Sequence, residues 1–224
     1  KINEVHKQKR QAEGDLEARI NSFELAYRMQ TDAREAFDIA GEKPETVAKY
    51  GANAQGRQML IARRLLERGV RFVQVRQGGW DLHGGIAQRA ANNARQLDPA
   101  IGAIMDDLKE RGLFEDTLIY ITSEFGRSPT EDGGGGRSHN ARGLSTVLMG
   151  GGIKGGIAYG STDEIGGAAV ENKVHVKDIH ATVMDLLGFD HEQLTYRTAG
   201  RDFRLTQATR SLPQGGMPVK GIIA

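Results

Sequence analysis

The run Leu118-Ile119-Tyr120-Ile121-Thr122 predicts a short buried strand, and the polar loop Ser123-Glu124-Phe125-Gly126-Arg127 follows it directly. The same order occurs earlier, where the apolar residues 70–75 lead into the loop Gly79-Trp80-Asp81-Leu82-His83. In both places an Arg-Gly pair precedes the strand and ends a predicted helix. Two successive helix-strand units favour a largely parallel sheet with helices packed on its faces. The sequence therefore predicts an α/β fold whose functional loops lie beyond the strand ends.

The helical spacing of apolar residues predicts the remaining large elements. Helices are predicted over about residues 53–68, 86–111 and 176–187, and a further strand over residues 144–149. Residues 3–39 predict one or two amphipathic helices, which end at the Gly-Glu-Lys-Pro sequence 41–44. We accordingly expect a helical segment over residues 1–50, an α/β domain over residues 51–206 and a surface tail over residues 207–224.

The composition excludes several classes of function. Among 224 residues, 30 are basic and 29 acidic, so the net charge of +1 gives no electrostatic case for nucleic acid or an anionic membrane as partner. The absence of cysteine excludes disulfides, thiolate zinc sites and a cysteine nucleophile within these residues. No apolar run approaches the ~20 residues of a membrane helix, and no secretory leader is recognisable. Because the chain begins at Lys1 within helix-like sequence, we expect natural sequence to precede it.

Asp81 and His83 form the first candidate pair of metal ligands. They stand two residues apart, so an extended backbone projects both side chains the same way. A carboxylate with a neutral imidazole suits zinc, manganese or iron, and suits magnesium or calcium less well. The structural alternative is that Asp81 caps the helix that follows, while His83 packs beside Trp80.

Glu124 and His139 are the other candidate ligands. Glu124 comes directly after the predicted strand, where a strand end presents a ligand or a general base, although an ion pair with Arg127 is the alternative. His139 lies in a polar loop of about twenty residues, longer than most loops of compact domains, and a single loop histidine is usually only solvated. Asp, His, Glu and His from three loops together make a complete ligand set for a first-row metal.

Two glycine-rich sequences need interpretation. The run Gly133 to Gly136 predicts a loop that is either disordered or functional, and a mobile lid is one hypothesis for it. The sequence Gly150-Gly151-Gly152-Ile153-Lys154-Gly155 formally fits a dinucleotide-binding motif. A short strand is predicted after it instead of a helix, so the helix terminus that would hold a pyrophosphate is lacking and we reject a dinucleotide site.

Taken together, these residues resemble an uncharacterised sulfatase-like family, known only as a domain of unknown function, within the alkaline phosphatase and sulfatase superfamily. The resemblance runs from about Phe23 to Thr206. It rests on six blocks of sequence: residues 79–83, 123–129, 136–140, 150–156, 178–182 and 199–206. It implies a three-layer α/β/α sandwich of alkaline phosphatase type, two adjacent metal positions and a nucleophile near the start of the domain.

The resemblance assigns roles residue by residue. Asp81 and His83 look like the superfamily's first Asp and His ligands, Glu124 stands in place of an Asp ligand, and His139 resembles the later His that closes the first metal position. Phe125 departs from the pattern, because it occupies the place of a second ligand and cannot coordinate a metal. The sequence block that carries the catalytic nucleophile in sulfatases is not found here, and the resemblance implies that it lies upstream. The chain therefore resembles the C-terminal portion of a longer member. We expect the chain alone to be inactive. Longer members tend to carry export leaders, which implies a periplasmic or otherwise exported protein.

The expected function is metal-dependent hydrolysis of sulfate or phosphate esters, with Arg127 or Arg137 neutralising the tetrahedral anion. The expected cofactor is a divalent metal, zinc first, with manganese, calcium or magnesium as alternatives. The substrate would be a small-molecule or polysaccharide ester. The alternative is a non-catalytic relative that binds a polyanion or a partner in the cell envelope.

Overall fold

The computed structural model describes residues 14–209 and 213–224, and it combines helices with small antiparallel sheets. The chain divides into two compact units. Unit 1 comprises the described residues up to Gly78 together with Asn92–Asp107, and unit 2 comprises Gly79–Ala91 together with the described residues from Leu108 to Ala224. None of the described helices is long and apolar enough to cross a membrane.

Unit 1 is helical. It contains α1 (Gly14–Phe37), α2 (Pro44–Tyr50), α3 (Ala54–Glu67) and the middle of α4 (Ile86–Glu110). Pro44 begins α2, where its missing N–H costs nothing. Asn53 caps α3 by accepting a hydrogen bond from the Gly56 N–H at 3.0 Å. The helices predicted over residues 53–68 and 86–111 are thus confirmed within one residue at each end. α1 ends at Phe37, before the predicted break at residues 41–44, and α2 begins at Pro44 itself. Residues 3–13 of the predicted N-terminal helices lie outside the described part.

The core of unit 1 joins apolar and charged side chains. Tyr50 and Leu60 are buried, and the Tyr50 hydroxyl donates to Asp107 at 2.9 Å. Burial and this hydrogen bond raise the pKa of Tyr50 well above its usual value. The side chain of Arg63 is only 3% exposed and forms hydrogen bonds of 2.8 Å with both Glu42 and Glu67. A buried charge needs such partners, because an unpaired one would lose its hydration without compensation.

Unit 2 contains eight described strands and the helix α5. The strands are β1 (Leu118–Ile121), β2 (Gly126–Glu131), β3 (Arg137–Asn140), β4 (Val147–Gly150), β5 (Ser161–Thr162), β6 (Ala169–Glu171), β7 (Tyr196–Thr198) and β8 (Arg201–Phe203). They pair antiparallel as β1 with β4, β2 with β3, β5 with β6 and β7 with β8. In the β2–β3 pair, Arg127 stands opposite His139.

The helix α5 (Val176–Leu186) supports the C-terminal segment of unit 2. Asp178 completes a capping box with His175, as a first-turn acid should. The Thr182 hydroxyl donates to the Asp178 carbonyl at 2.7 Å and accepts from the Val219 N–H at 2.8 Å. Val219 and Ile222 are buried, the latter in a short 3₁₀ helix (Lys220–Ile222). The final residues therefore pack within unit 2, and the predicted boundary at residue 207 stays a prediction.

The mixed α/β class predicted from the sequence is confirmed, but the arrangement of its strands differs. β1 lies where the sequence predicts a strand over residues 118–122. The strand predicted over residues 70–75 is wrong: this stretch belongs to no strand among the described residues, and Phe72 is 80% exposed. The residue types of this stretch favour a strand, but a strand also needs a partner, and none of the described strands pairs with it. Consequently, every described strand pairing is antiparallel, and no parallel sheet is formed by these residues.

Candidate metal site

The candidate site is built by one extended segment and one hairpin of unit 2. Leu82 is buried, with 2% of its surface exposed, and anchors the segment between Asp81 and His83. Its two neighbours therefore both project away from the core into solvent. His139 comes from β3, opposite Arg127 of β2. The local alternation of apolar and polar residues thus explains why the Asp and His pair is presented rather than buried.

Asp81, His83 and His139 converge on one point. The Asp81 Oδ1 lies 2.9 Å from the His139 Nε2 and 3.0 Å from the His83 Nε2. The two Nε2 atoms lie 3.1 Å apart. All three side chains are exposed. Among the residues that the structure describes, this is the group able to offer three ligand atoms to a single ion.

Arg127 fixes the position of Asp81. Its guanidinium donates from Nη2 to the Asp81 Oδ1 at 2.8 Å and to the Trp80 carbonyl at 3.1 Å, and from Nη1 to the Arg137 carbonyl at 3.1 Å. The hydrogen bonds from Arg127 and then His139 hold the pKa of Asp81 well below its usual range. The carboxylate is therefore ionised at any pH near neutrality.

Asp132 contacts the opposite side of the His83 ring. Its Oδ2 lies 3.1 Å from the His83 Nδ1, although the two residues are 49 positions apart. Hydrogen bonding by the Ser138 side chain, and then by His83, lowers the pKa of Asp132. Sequence reasoning missed this residue. Its only signal is an acidic side chain directly before the glycine run, which does not identify a partner.

The glycine run holds the two parts of the site together. The Gly134 and Gly135 carbonyls accept hydrogen bonds from the Gly85 and Ile86 N–H groups at 2.9 and 3.0 Å. The Arg137 N–H donates to the Leu82 carbonyl at 3.1 Å. The run is thus the tip of the β2–β3 hairpin, hydrogen-bonded to the segment that carries His83, and the mobile lid considered from the sequence stays a prediction.

The other predicted site residues lie near this cluster or outside it. Glu124 is exposed in the bend between β1 and β2 and is not part of the cluster. The Arg137 guanidinium donates to the Ser128 carbonyl at 3.4 Å. The Phe125 ring packs against the His139 ring with 4.2 Å between their centroids. The structure therefore brings together three of the four predicted ligands, with Arg127 and Phe125 beside them.

Comparison with known proteins gives one match. A family model with the description Protein of unknown function (DUF1501) matches residues 1–214. No curated protein and no solved structure matches the chain.

Proposed function

The chain belongs to the family described as Protein of unknown function (DUF1501), and we propose that it is a metal-dependent hydrolase of sulfate or phosphate esters. One observation carries the proposal: the ligand atoms of Asp81, His83 and His139 stand 2.9 to 3.1 Å apart. The resemblance to sulfatases supplies the reaction class. With it we propose the three-layer α/β/α sandwich for the complete domain, and an exported location.

The donor set fits a divalent transition metal. Two imidazole nitrogens and one carboxylate oxygen suit zinc, manganese or iron, whereas magnesium and calcium prefer oxygen ligands alone. Three ligands that each lie about 2.1 Å from one ion stand roughly 3 to 3.5 Å from one another. The separations in the cluster are at the lower end of this range, so an ion requires little movement of the side chains.

The surrounding residues suit an anionic ester. The chemistry that a bound divalent cation supplies here is polarisation of a non-bridging oxygen of the ester. Arg127 keeps a positive charge beside Asp81, and we propose that Arg127 and Arg137 stabilise negative charge on the substrate. Because the three ligands are exposed, the site is open to a small ester or to a polysaccharide chain.

The proposal involves one metal position. Phe125 lies against His139, where the superfamily pattern would place a further ligand. Glu124 is retained as a proposed fourth ligand, and its coordination requires a movement of the bend that carries it. The same contact of Phe125 favours the second candidate function, in which the protein binds a polyanion or a partner in the cell envelope without catalysis.

The test measures metal content and ester hydrolysis. The metal-free protein is incubated with Zn²⁺ or Mn²⁺, dialysed, and analysed by native mass spectrometry for bound metal. We expect one ion per chain, and a loss of binding in the double variant Asp81→Ala, His139→Ala. His180→Ala is the matched control, since His180 is exposed on α5 and lies outside the cluster.

Hydrolysis of aryl sulfates and aryl phosphates is then measured with the natural full-length protein and the same variants. Turnover that requires the metal and disappears in the double variant supports a hydrolase. Metal binding without any turnover supports the binding protein instead. A natural protein that retains no stoichiometric metal contradicts both the site and the hydrolase.

A further inference from the structure

We propose that Asp132 is a positioning residue that fixes the proton of His83 on Nδ1 and so presents the Nε2 lone pair to a metal. This inference rests on the metal site of the proposed function. It is carried by the 3.1 Å contact between the Asp132 Oδ2 and the His83 Nδ1, on the side of the ring that faces away from Asp81 and His139.

The chemistry of the two groups decides the direction of this hydrogen bond. An ionised carboxylate can only accept, so the imidazole nitrogen beside it must carry the proton. A neutral imidazole protonated on Nδ1 has its lone pair on Nε2, which is the form that binds a metal. Carboxylates that contact the far nitrogen of a ligating histidine orient the ring in this way and raise its basicity.

The same assignment explains why the cluster suits a cation. With the proton on Nδ1, the His83 Nε2 lone pair faces the Asp81 Oδ1 at 3.0 Å. Two acceptors at this separation repel each other, and a cation shared between them replaces repulsion by attraction. Asp132 therefore prepares the site for an ion, although it does not contact the ion position itself.

Asp132 is itself held in place, because its N–H donates to the Gly136 carbonyl at 3.0 Å within the hairpin that carries His139. The hairpin that supplies His139 therefore also supplies the group that orients His83. One folded element thus sets two of the three ligands.

The first experiment locates the proton in the metal-free protein. Long-range ¹H–¹⁵N correlation spectra at pH 8 distinguish the two neutral tautomers and the imidazolium of each histidine. We expect His83 to carry its proton on Nδ1 in the unaltered protein and to become a mixture of tautomers in Asp132→Ala. A His83 protonated on Nε2, or on both nitrogens, overturns the proposal.

The second experiment titrates Zn²⁺ into each variant by calorimetry. We expect Asp132→Ala to weaken binding about 10- to 100-fold, as for other outer-shell partners of metal ligands. Asp132→Asn keeps a hydrogen-bond acceptor without the charge, so its Zn²⁺ affinity should lie between those of the unaltered protein and Asp132→Ala. Asp116→Asn is the control, because Asp116 is exposed, and it should bind Zn²⁺ as the unaltered protein does.

Unchanged affinity in Asp132→Ala, with a circular dichroism spectrum like that of the unaltered protein, contradicts the positioning role. Failure of the unaltered protein to bind any metal contradicts the proposed function instead. In that case the tautomer of His83 still shows whether Asp132 directs the proton.

Discussion

At the scale of single residues, Asp81 is the residue whose carboxylate contacts the three other side chains of the site. Its Oδ1 contacts Arg127, His139 and His83 at 2.8, 2.9 and 3.0 Å. A carboxylate whose pKa is lowered by folding stabilises the folded state at pH values above its pKa in the unfolded chain. This stabilisation is lost as the pH falls through its pKa in the folded protein. Since 68% of the Asp81 side chain is exposed, solvent screens the interaction, and its effect is clearer in titration than in stability.

Arg127→Gln should raise the pKa of Asp81 towards the usual value, because the guanidinium is the main cause of the depression. The carboxyl carbon of Asp81 is followed by NMR between pH 2 and pH 7 in the metal-free protein. Asp190 is an internal control: its pKa is lowered by the N–H groups of Glu192 and then Gln193, and should not respond. If the pKa of Asp81 were the same in Arg127→Gln as in the unaltered protein, Arg127 would not be the cause of the depression.

The residues of the site also show what sequence reasoning can reach. Asp81, His83 and His139 are predictable because their side chains are metal ligands in glycine-bordered loops, and they do converge. Asp132 is not predictable, because its relation to His83 depends on how a hairpin returns to a segment 49 residues earlier. Ligand chemistry is readable from residue type, whereas an orienting contact becomes visible only in three dimensions.

At the scale of elements, the β2–β3 hairpin is the part on which the site depends. A Cβ atom on Gly136 would lie 2.0 Å from the His83 carbonyl carbon, which is backbone and cannot move aside cheaply. Glycine is needed here for close approach and not for its backbone angles, since its φ is not positive. Helix ends, in contrast, follow from local sequence, which is why Gly69 and Gly112 of the two Arg-Gly pairs predict the ends of α3 and α4 correctly.

Gly136→Ala should therefore separate the hairpin tip from the segment of Asp81 and His83. We expect metal affinity to fall by at least about tenfold, as it does when outer-shell support is removed. Gly155→Ala is the matched control, because a Cβ there meets open space and the residue has no positive φ. Calorimetric titration with Zn²⁺ gives the affinity. Equal affinities in the two variants would show that the close approach does not maintain the site.

At the scale of the whole molecule, strand partners are the feature that the sequence predicted least well. An apolar run identifies a strand by its own residues, but its partner is decided by distant ones. β1 lies where a strand is predicted over residues 118–122, yet it pairs antiparallel with β4 and not as part of a parallel sheet. The C-terminal residues show a related effect, since Val219 and Ile222 are buried although neither stands in a predicted helix or strand.

Removing residues 217–224 should therefore destabilise unit 2. The deletion takes away the buried Val219 and Ile222, and the hydrogen bond of 2.9 Å from the Lys154 N–H to the Ile222 carbonyl. Burial of one such side chain contributes about 1.5 to 3 kcal/mol, so the loss of both should accelerate amide exchange in α5 by at least about a hundredfold. Hydrogen exchange with mass spectrometry measures this, and the amides of the β2–β3 hairpin provide the reference. If α5 exchanged at its original rate, residues 217–224 would not stabilise unit 2, and this outcome would favour the surface tail predicted from the sequence.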